Sequence, residues 1–273
     1  MCRLLGYSAR ANVSLAQIMG ERGLRDFTGL SAFHRDGWGM AWCHGEQLHI
    51  EKSPLRAVDE QAYNELVHRA LGDAGLVHLR MATPGLPVEA RNSHPFHYSG
   101  FAMAHNGAIH PQSRLPSLLP SAWERHVSGT TDSEHYFLRV MSGLEAHGDV
   151  LAAIDDTIAQ IDRNFSADCL NAILLGPDAL YAVSSHDPER IPWDGLAARG
   201  YTGPPECYFD LAYAETEDAV VVASTGWPQD GWTVLPNRHV LVVERDTLRV
   251  KVEPLGPRST AGISLPLLAV RGR

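Results

Sequence analysis

The sequence predicts an α+β fold. Strand-like segments gather in its first part and again towards its end, and a pair of helical segments, 133–146 and 150–161, lies between the two groups. Strand and helix do not alternate as βαβ units would, which favours a layered architecture over a doubly wound one.

Residues 4–9 have the character of a short strand, which would hold Cys2 at the edge of a sheet. Residues 15–22 have helical spacing. Gly37 and Gly39 flank Trp38, the pattern of a backbone that bends tightly or approaches a neighbour closely before a strand. His44-Gly45-Glu46-Gln47 predicts a hairpin turn into a strand over 48–52. An amphipathic helix is expected over 59–71, with Ala62, Leu66, Val67, Ala70 and Leu71 on its apolar face, Asp59 as N-cap and Gly72 as stop. Strands follow at 76–81 and 101–105. The Pro-rich, polar stretch 84–96 between them is longer than an idle loop in a compact domain usually is. In the helical pair, Asp132 or Ser133 is placed to cap the first helix, and Gly148-Asp149 separates the two. Further strands are expected at 172–175, 180–184, 219–224 and 239–244, the last pairing with 248–252 through Arg245-Asp246-Thr247. Residues 188–205 predict an irregular excursion and 257–273 a weakly structured tail, leaving a single domain over 2–256.

Composition removes several classes of function. Of 273 residues, 44% are hydrophobic and 20% charged, ordinary values for a chain with a real core. The net charge of −9 and the absence of any Lys/Arg block argue against a nucleic-acid surface. No apolar run approaches the roughly 18 residues of a membrane span, and no signal peptide opens the chain. The cysteines, Cys2, Cys43, Cys169 and Cys207, lie far apart without a C-x-x-C pair, so a cytoplasmic protein with reduced thiols is expected. The local histidine clusters, His94 with His97 and His105 with His110, lack a zinc-ligand pattern. Neither a metal nor a cofactor is expected.

The chemistry gathers around Cys2. A small side chain behind an initiator Met permits that Met to be removed, which would leave thiol and α-amine on one residue. An α-amine with a pKa of about 7.7–8.0 can act as a general base near neutrality, and a nucleophile served by its own N-terminal amine is a known activation scheme. Otherwise Cys2 is a small residue at a frayed end. Arg80, in His78-Leu79-Arg80-Met81-Ala82-Thr83, offers a planar fork for a carboxylate, or simply ends a strand. Asn106-Gly107 is first a turn signal; as chemistry, it supplies a side-chain amide and an unobstructed backbone N–H for an oxyanion hole. Asp132, in Thr131-Asp132-Ser133-Glu134, caps a helix or binds an ammonium group.

Taken in this order, these stretches resemble the class II glutamine amidotransferases, N-terminal-nucleophile hydrolases that use an N-terminal cysteine. The likeness runs through Met1-Cys2-Arg3-Leu4-Leu5-Gly6, Asp36-Gly37-Trp38-Gly39-Met40-Ala41, Arg80-Met81-Ala82-Thr83, Asn92-Ser93-His94-Pro95-Phe96, His105-Asn106-Gly107-Ala108-Ile109 and Thr131-Asp132-Ser133-Glu134. It implies a four-layer αββα sandwich, with Cys2 as nucleophile and Asn106 and Gly107 as the oxyanion hole. It further implies Arg80 and Thr83 on a substrate α-carboxylate and Asp132 on the α-amino group. The implied reaction is hydrolysis of a γ-glutamyl amide through a thioester, with ammonia or an amine leaving. Met81 and Pro84 stand where many synthase-linked members carry Trp and His. The glutaminase-type unit fills nearly the whole chain, so an acceptor domain would have to be a separate synthase subunit. Some small stand-alone members instead hydrolyse a γ-glutamyl bond on a larger conjugate, as in ergothioneine biosynthesis; Trp38, Trp42, Trp227 and Trp232 could then wall the leaving group. A non-catalytic binding module that kept the fold is the remaining alternative.

Overall fold

Side chains along the first strand, β1 (Arg3–Val13), alternate between two apolar layers, and the molecule is built outwards from that alternation. Leu4 faces Ala104, Ile173 and Leu241. Leu5 and Tyr7 face the opposite way, towards α1 (Leu15–Gly29) and α2 (Gln61–Arg69). The computed structural model describes residues 2–83, 85–191, 196 and 205–256; Met1, Pro84, most of the predicted excursion and the predicted tail lie outside them.

The other elements are β2 (Trp38–His44), β3 (Gln47–Ser53), β4 (Gly72–Leu79), β5 (Phe96–Tyr98), β6 (Phe101–His110), α3 (Asp132–His147), α4 (Val150–Asn164), β7 (Ser166–Leu175), β8 (Ala179–Ser184), β9 (Leu211–Glu215), β10 (Ala219–Ser224), β11 (Thr233–Val234), β12 (His239–Glu244) and β13 (Val250–Pro254). They form two antiparallel sheets, ordered β11-β9-β10-β1-β4-β2-β3 and β13-β12-β8-β7-β6-β5. One apolar layer lies between the sheets, a second between the first sheet and α1 and α2, and a third between the second sheet and α3 and α4. The result is the four-layer αββα sandwich. At Gly6 the sheets come so close that a Cβ would lie 2.9 Å from Ile173 Cγ2.

Several local expectations change. β1 runs between β10 and β4, so Cys2 ends an interior strand and not a sheet edge. In α2 the buried face is Tyr63, Leu66 and Val67, while Ala62 and Leu71 are exposed. Its N-cap position is Glu60, because Asp59 closes a preceding 3-10 turn, and Gly72 opens β4 instead of stopping the helix. Gly20, with φ +64°, kinks the first helix, which continues to Gly29. Arg80 and Met81 fall just beyond β4. Asn106 and Gly107 lie inside β6, not in a turn after it.

Candidate active site

Cys2 stands at the start of β1, where the loop after β4 and strand β6 of the other sheet converge. Its backbone N–H donates to Asn106 Oδ1 at 2.7 Å. Its thiol lies 3.5 Å from the Met81 carbonyl and accepts from the Met81 N–H at 3.4 Å. Burial pushes the thiol pKa up; the Met81 N–H and the charges of Arg80 and Arg3 pull the other way. The nucleophile candidate is therefore desolvated but surrounded by groups that favour its thiolate.

A β-bulge follows directly on the candidate residues Asn106 and Gly107 within their strand. Pairing of β6 with β7 runs Asn106 to Asn171 and Gly107 to Leu170, then slips so that Ile109 faces Ala167. The Ile109 N–H turns to Asp132 Oδ2 at 2.8 Å. At Gly107 a Cβ would lie 1.7 Å from the Cys169 carbonyl oxygen, so glycine is a steric requirement here. Asp132 is the first residue of α3 but does not cap it: the Thr131 hydroxyl accepts from Glu134 N–H in that role. The Asp132 carboxylate is thus directed at β6, and the helix brings it there.

Arg80 is 3% exposed. Its guanidinium donates to the carbonyls of Asp36 (3.3 Å) and Pro87 (3.1 Å). Asp36 also accepts from Ala82 N–H at 2.8 Å through its carboxylate, and its N–H donates to the Arg80 carbonyl at 3.0 Å while the Arg80 N–H donates to the Gly37 carbonyl at 2.8 Å. Burial lowers the Arg80 pKa, with the Cys2 and Asp36 charges opposing. The loop after it is pinned: Asn92 Nδ2 donates to Pro87 O and Thr130 Oγ1, Asn92 Oδ1 accepts from Thr130 N–H, and Lys52 Nζ donates to Ser93 O. Thr83 is half-buried at the start of a turn, its carbonyl accepting from Leu86 N–H. The predicted residues are thereby brought to one end of the sandwich, Thr83 on the loop that also carries the Arg80 anchor Pro87.

Sequence reasoning missed Arg3 and a group of histidines. Arg3, 1% exposed, donates to the carbonyls of Cys2 (3.2 Å) and Tyr208 (3.4 Å) and stacks over the Tyr208 ring at 4.5 Å. Its only signal in the sequence was a charge inside an apolar strand. His78, His94 and His105 are buried behind the site, with the His78 and His94 rings 4.1 Å apart. His105 contacts Ser133 Oγ at 2.9 Å and Cys169 O at 3.2 Å. Burial pushes all three below the ordinary histidine pKa. No metal-holding group of His, Cys, Asp or Glu occurs among the described residues.

The proposed tryptophan wall is not formed. Trp38 packs on Tyr63 and donates to Glu60, Trp42 stacks on His49, and Trp227 and Trp232 meet each other, all in the layer beneath α1 and α2. A cleft of about 640 Å³ at the β3 edge, lined by Trp38, Lys52, Ser53, Glu60 and His97, contains none of the predicted site residues.

The fold is shared with solved amidotransferases. A class-II glutamine aminotransferase domain protein from Silicibacter pomeroyi superimposes with TM-score 0.62 at 17% identity, covering 94% of this chain and 100% of that one. The glutamine phosphoribosylpyrophosphate amidotransferase of B. subtilis gives 0.62 at 16% identity over 93% of this chain and 49% of that one. The family model of class-II glutamine amidotransferases matches residues 1–252, and this chain belongs to that family. Among curated relatives, the gamma-glutamyl-hercynylcysteine sulfoxide hydrolase of Mycobacterium tuberculosis H37Rv is 26% identical over 268 residues, 94% of this chain and 100% of that protein. The glutamine--fructose-6-phosphate aminotransferase of Shewanella oneidensis is 31% identical over 163 residues, 59% of this chain; the match spans only 25% of that longer enzyme. Among the described residues no helix is long and apolar enough to cross a membrane.

Proposed function

We propose that this protein hydrolyses a γ-glutamyl amide through a thioester on Cys2, releasing glutamate and an amine or ammonia. The observation that carries the reading is the 2.7 Å bond from Cys2 N to Asn106 Oδ1, which joins the nucleophile to the oxyanion-hole candidate across the two sheets. Once Met1 is removed, that nitrogen becomes a free α-amine and takes the thiol proton. The thiolate attacks the γ-carbonyl carbon. Asn106, accepting through Oδ1, keeps its Nδ2 as a donor, and with the Gly107 N–H it meets the oxyanion. The protonated α-amine then gives its proton to the leaving nitrogen as the C–N bond breaks. Water, deprotonated by the same amine, adds to the thioester; the C–S bond breaks and the proton returns to sulfur. Arg80 and Thr83 receive the substrate α-carboxylate, and Asp132 its α-ammonium.

The match to the full length of a stand-alone γ-glutamyl conjugate hydrolase supports a conjugate as substrate. The partial match to an aminotransferase favours a second reading, a glutaminase that passes ammonia to a separate synthase subunit. Four unpaired, scattered cysteines support a cytoplasmic setting. The test pairs intact mass with glutamate release from glutamine and from γ-glutamyl conjugates. Loss of Met1 with fast conjugate cleavage is expected, and Cys2→Ala should abolish release while the circular dichroism spectrum is kept. Turnover retained in Cys2→Ala would overturn the mechanism. Best turnover on glutamine would favour the ammonia-supplying reading, and a processed, folded chain that releases glutamate from nothing would leave a binding module.

A further inference from the structure

Asn92 opens a stretch, Asn92-Ser93-His94-Pro95-Phe96, that the reaction proposed above leaves without a task. Its side chain is buried, at 0% exposure, and the amide meets two segments that serve opposite ends of one substrate head. Nδ2 donates to the Pro87 carbonyl at 3.3 Å, the same oxygen that the Arg80 guanidinium holds at 3.1 Å. Nδ2 also donates to Thr130 Oγ1 at 3.1 Å, and Oδ1 accepts from the Thr130 N–H at 2.9 Å. A backbone N–H can only donate, so Thr130 decides which way the amide points. With Oδ1 turned to Thr130, the two amide hydrogens are committed, one to each segment.

Both segments are firmly based. Thr130 leads into Asp132, and the turn before it is fastened to α3 by Glu134, whose carboxylate accepts from the N–H groups of Ser128 at 2.9 Å and Gly129 at 2.7 Å. Glycine at 129 lets the segments meet: a Cβ there would lie 2.6 Å from Asn92 Oδ1 and 3.1 Å from the Arg91 carbonyl oxygen. On the other side Lys52 of β3 donates to the Ser93 carbonyl at 2.9 Å and holds the neighbour of Asn92 to the first sheet. Arg80 follows β4 of that sheet, whereas Asp132 starts a helix packed on the second sheet. The two candidate charges thus come from opposite halves of the sandwich, and one buried amide spans the join. A γ-glutamyl head carries its carboxylate and its ammonium on one carbon, so the substrate fixes the separation the two charges must have. A misplacement of about 1 Å in such an arrangement costs about 10²-fold, and a fully bonded buried amide is the kind of group that rigidifies it.

We infer that Asn92 is a positioning residue that sets the separation of Arg80 and Asp132, and so makes the protein demand both charges of an α-amino-acid head at once. This rests on the γ-glutamyl hydrolase reading and deepens it. Asn92 acts through Pro87 and Thr130 and takes no part in the bond changes.

The test uses the full chain with γ-glutamyl p-nitroanilide and glutaryl p-nitroanilide, which share the scissile amide and the carboxylate and differ in the α-ammonium. The readout is the ratio of their kcat/KM values, followed by p-nitroaniline release. Wild type should favour the γ-glutamyl probe by about tenfold or more, the worth of a charge-assisted bond, and Asn92→Ala should lose most of that preference. A merely structural role would slow both probes by the same factor and leave the ratio unchanged, and that result overturns the proposal. So does a wild type with equal kcat/KM on the two probes, because there is then no ammonium contact to place. Should Asn92→Ala fail to fold, Thr130→Val takes its place, since it removes only the Oγ1 acceptor at an exposed position. A narrowed ratio in that variant supports the tie, and an unchanged ratio sinks it. Failure of the tie alone leaves wild-type release and its preference intact; no release from either probe by a chain that has lost Met1 removes the hydrolase reading and the proposal with it.

Discussion

Arg80, the proposed carboxylate clamp, is held in place by the protein's own backbone. Its fork is fixed by two backbone carbonyls, of Asp36 and of Pro87, and its buried charge acts on the Cys2 thiol. A lysine carries the charge but not the fork, and its ammonium cannot hold both carbonyls and a carboxylate in one plane. Arg80→Lys should therefore raise KM by about ten- to a hundredfold with a smaller change in kcat, a loss of binding more than of chemistry; an unchanged KM would count against the clamp. Asn106→Ala should do the reverse and lower kcat by about 10²–10³ with KM little changed, because its amide is needed only when the oxyanion forms. Steady-state kinetics on a γ-glutamyl amide separate the two outcomes.

At the scale of the element, the informative structure is the bulge in β6. The Asn-Gly pair was legible as a site candidate and also as a turn, and the sequence could not decide because both uses need the same permissive glycine. What decides is the partner strand: the Cys169 carbonyl occupies the space a side chain would need, and Asp132 collects the N–H that the slip releases. Gly107→Ala should accordingly force β6 and β7 apart. We expect a loss of about 1–3 kcal/mol from overpacking, a drop in Tm of several degrees and a fall in kcat of at least about tenfold, read by calorimetry and by glutamate release. A variant with normal Tm and kcat would show that the strand pair yields there. The same limit explains what else was hidden. β5 and β11 are three and two residues long, too short for any period to emerge. In α2, Tyr63 and Ala62 exchange places relative to the expected face, since a bulky aromatic with a polar tip can go either way until a partner, here Trp38, is in place. Arg3 was illegible for a related reason: an arginine in a strand reads as exposed, and only tertiary packing buries it.

For the whole molecule, the end of the sandwich that holds the candidate site also holds a group of buried histidines that makes stability depend on pH. His78 from β4, His94 from the loop before β5 and His105 from β6 meet where the two sheets and that loop converge; neither ring nitrogen of His94 has a hydrogen-bond partner, and on His78 the pull of the His105 backbone towards a proton is outweighed by burial. Arg80 adds its charge against both rings. All three histidines have folded pKa values below the ordinary 6.5. Below that value the unfolded chain binds protons that the folded chain refuses, so stability increases with pH through this range and is lost as pH falls. Above about pH 7 the term is fully present; each histidine then withdraws up to about 1.4 kcal/mol per pH unit below about 6.5, until its own folded pKa is reached. Urea midpoints should be flat between pH 7 and 8 and fall steeply from about pH 6.5 to 5. His94→Phe keeps an apolar ring against His78 and Phe96 and should make that fall shallower, whatever it does to the midpoint at pH 8. An equal slope in wild type and His94→Phe would show that His94 takes no part, and a midpoint independent of pH down to 5 would mean that the buried histidines accept protons without disturbing the fold.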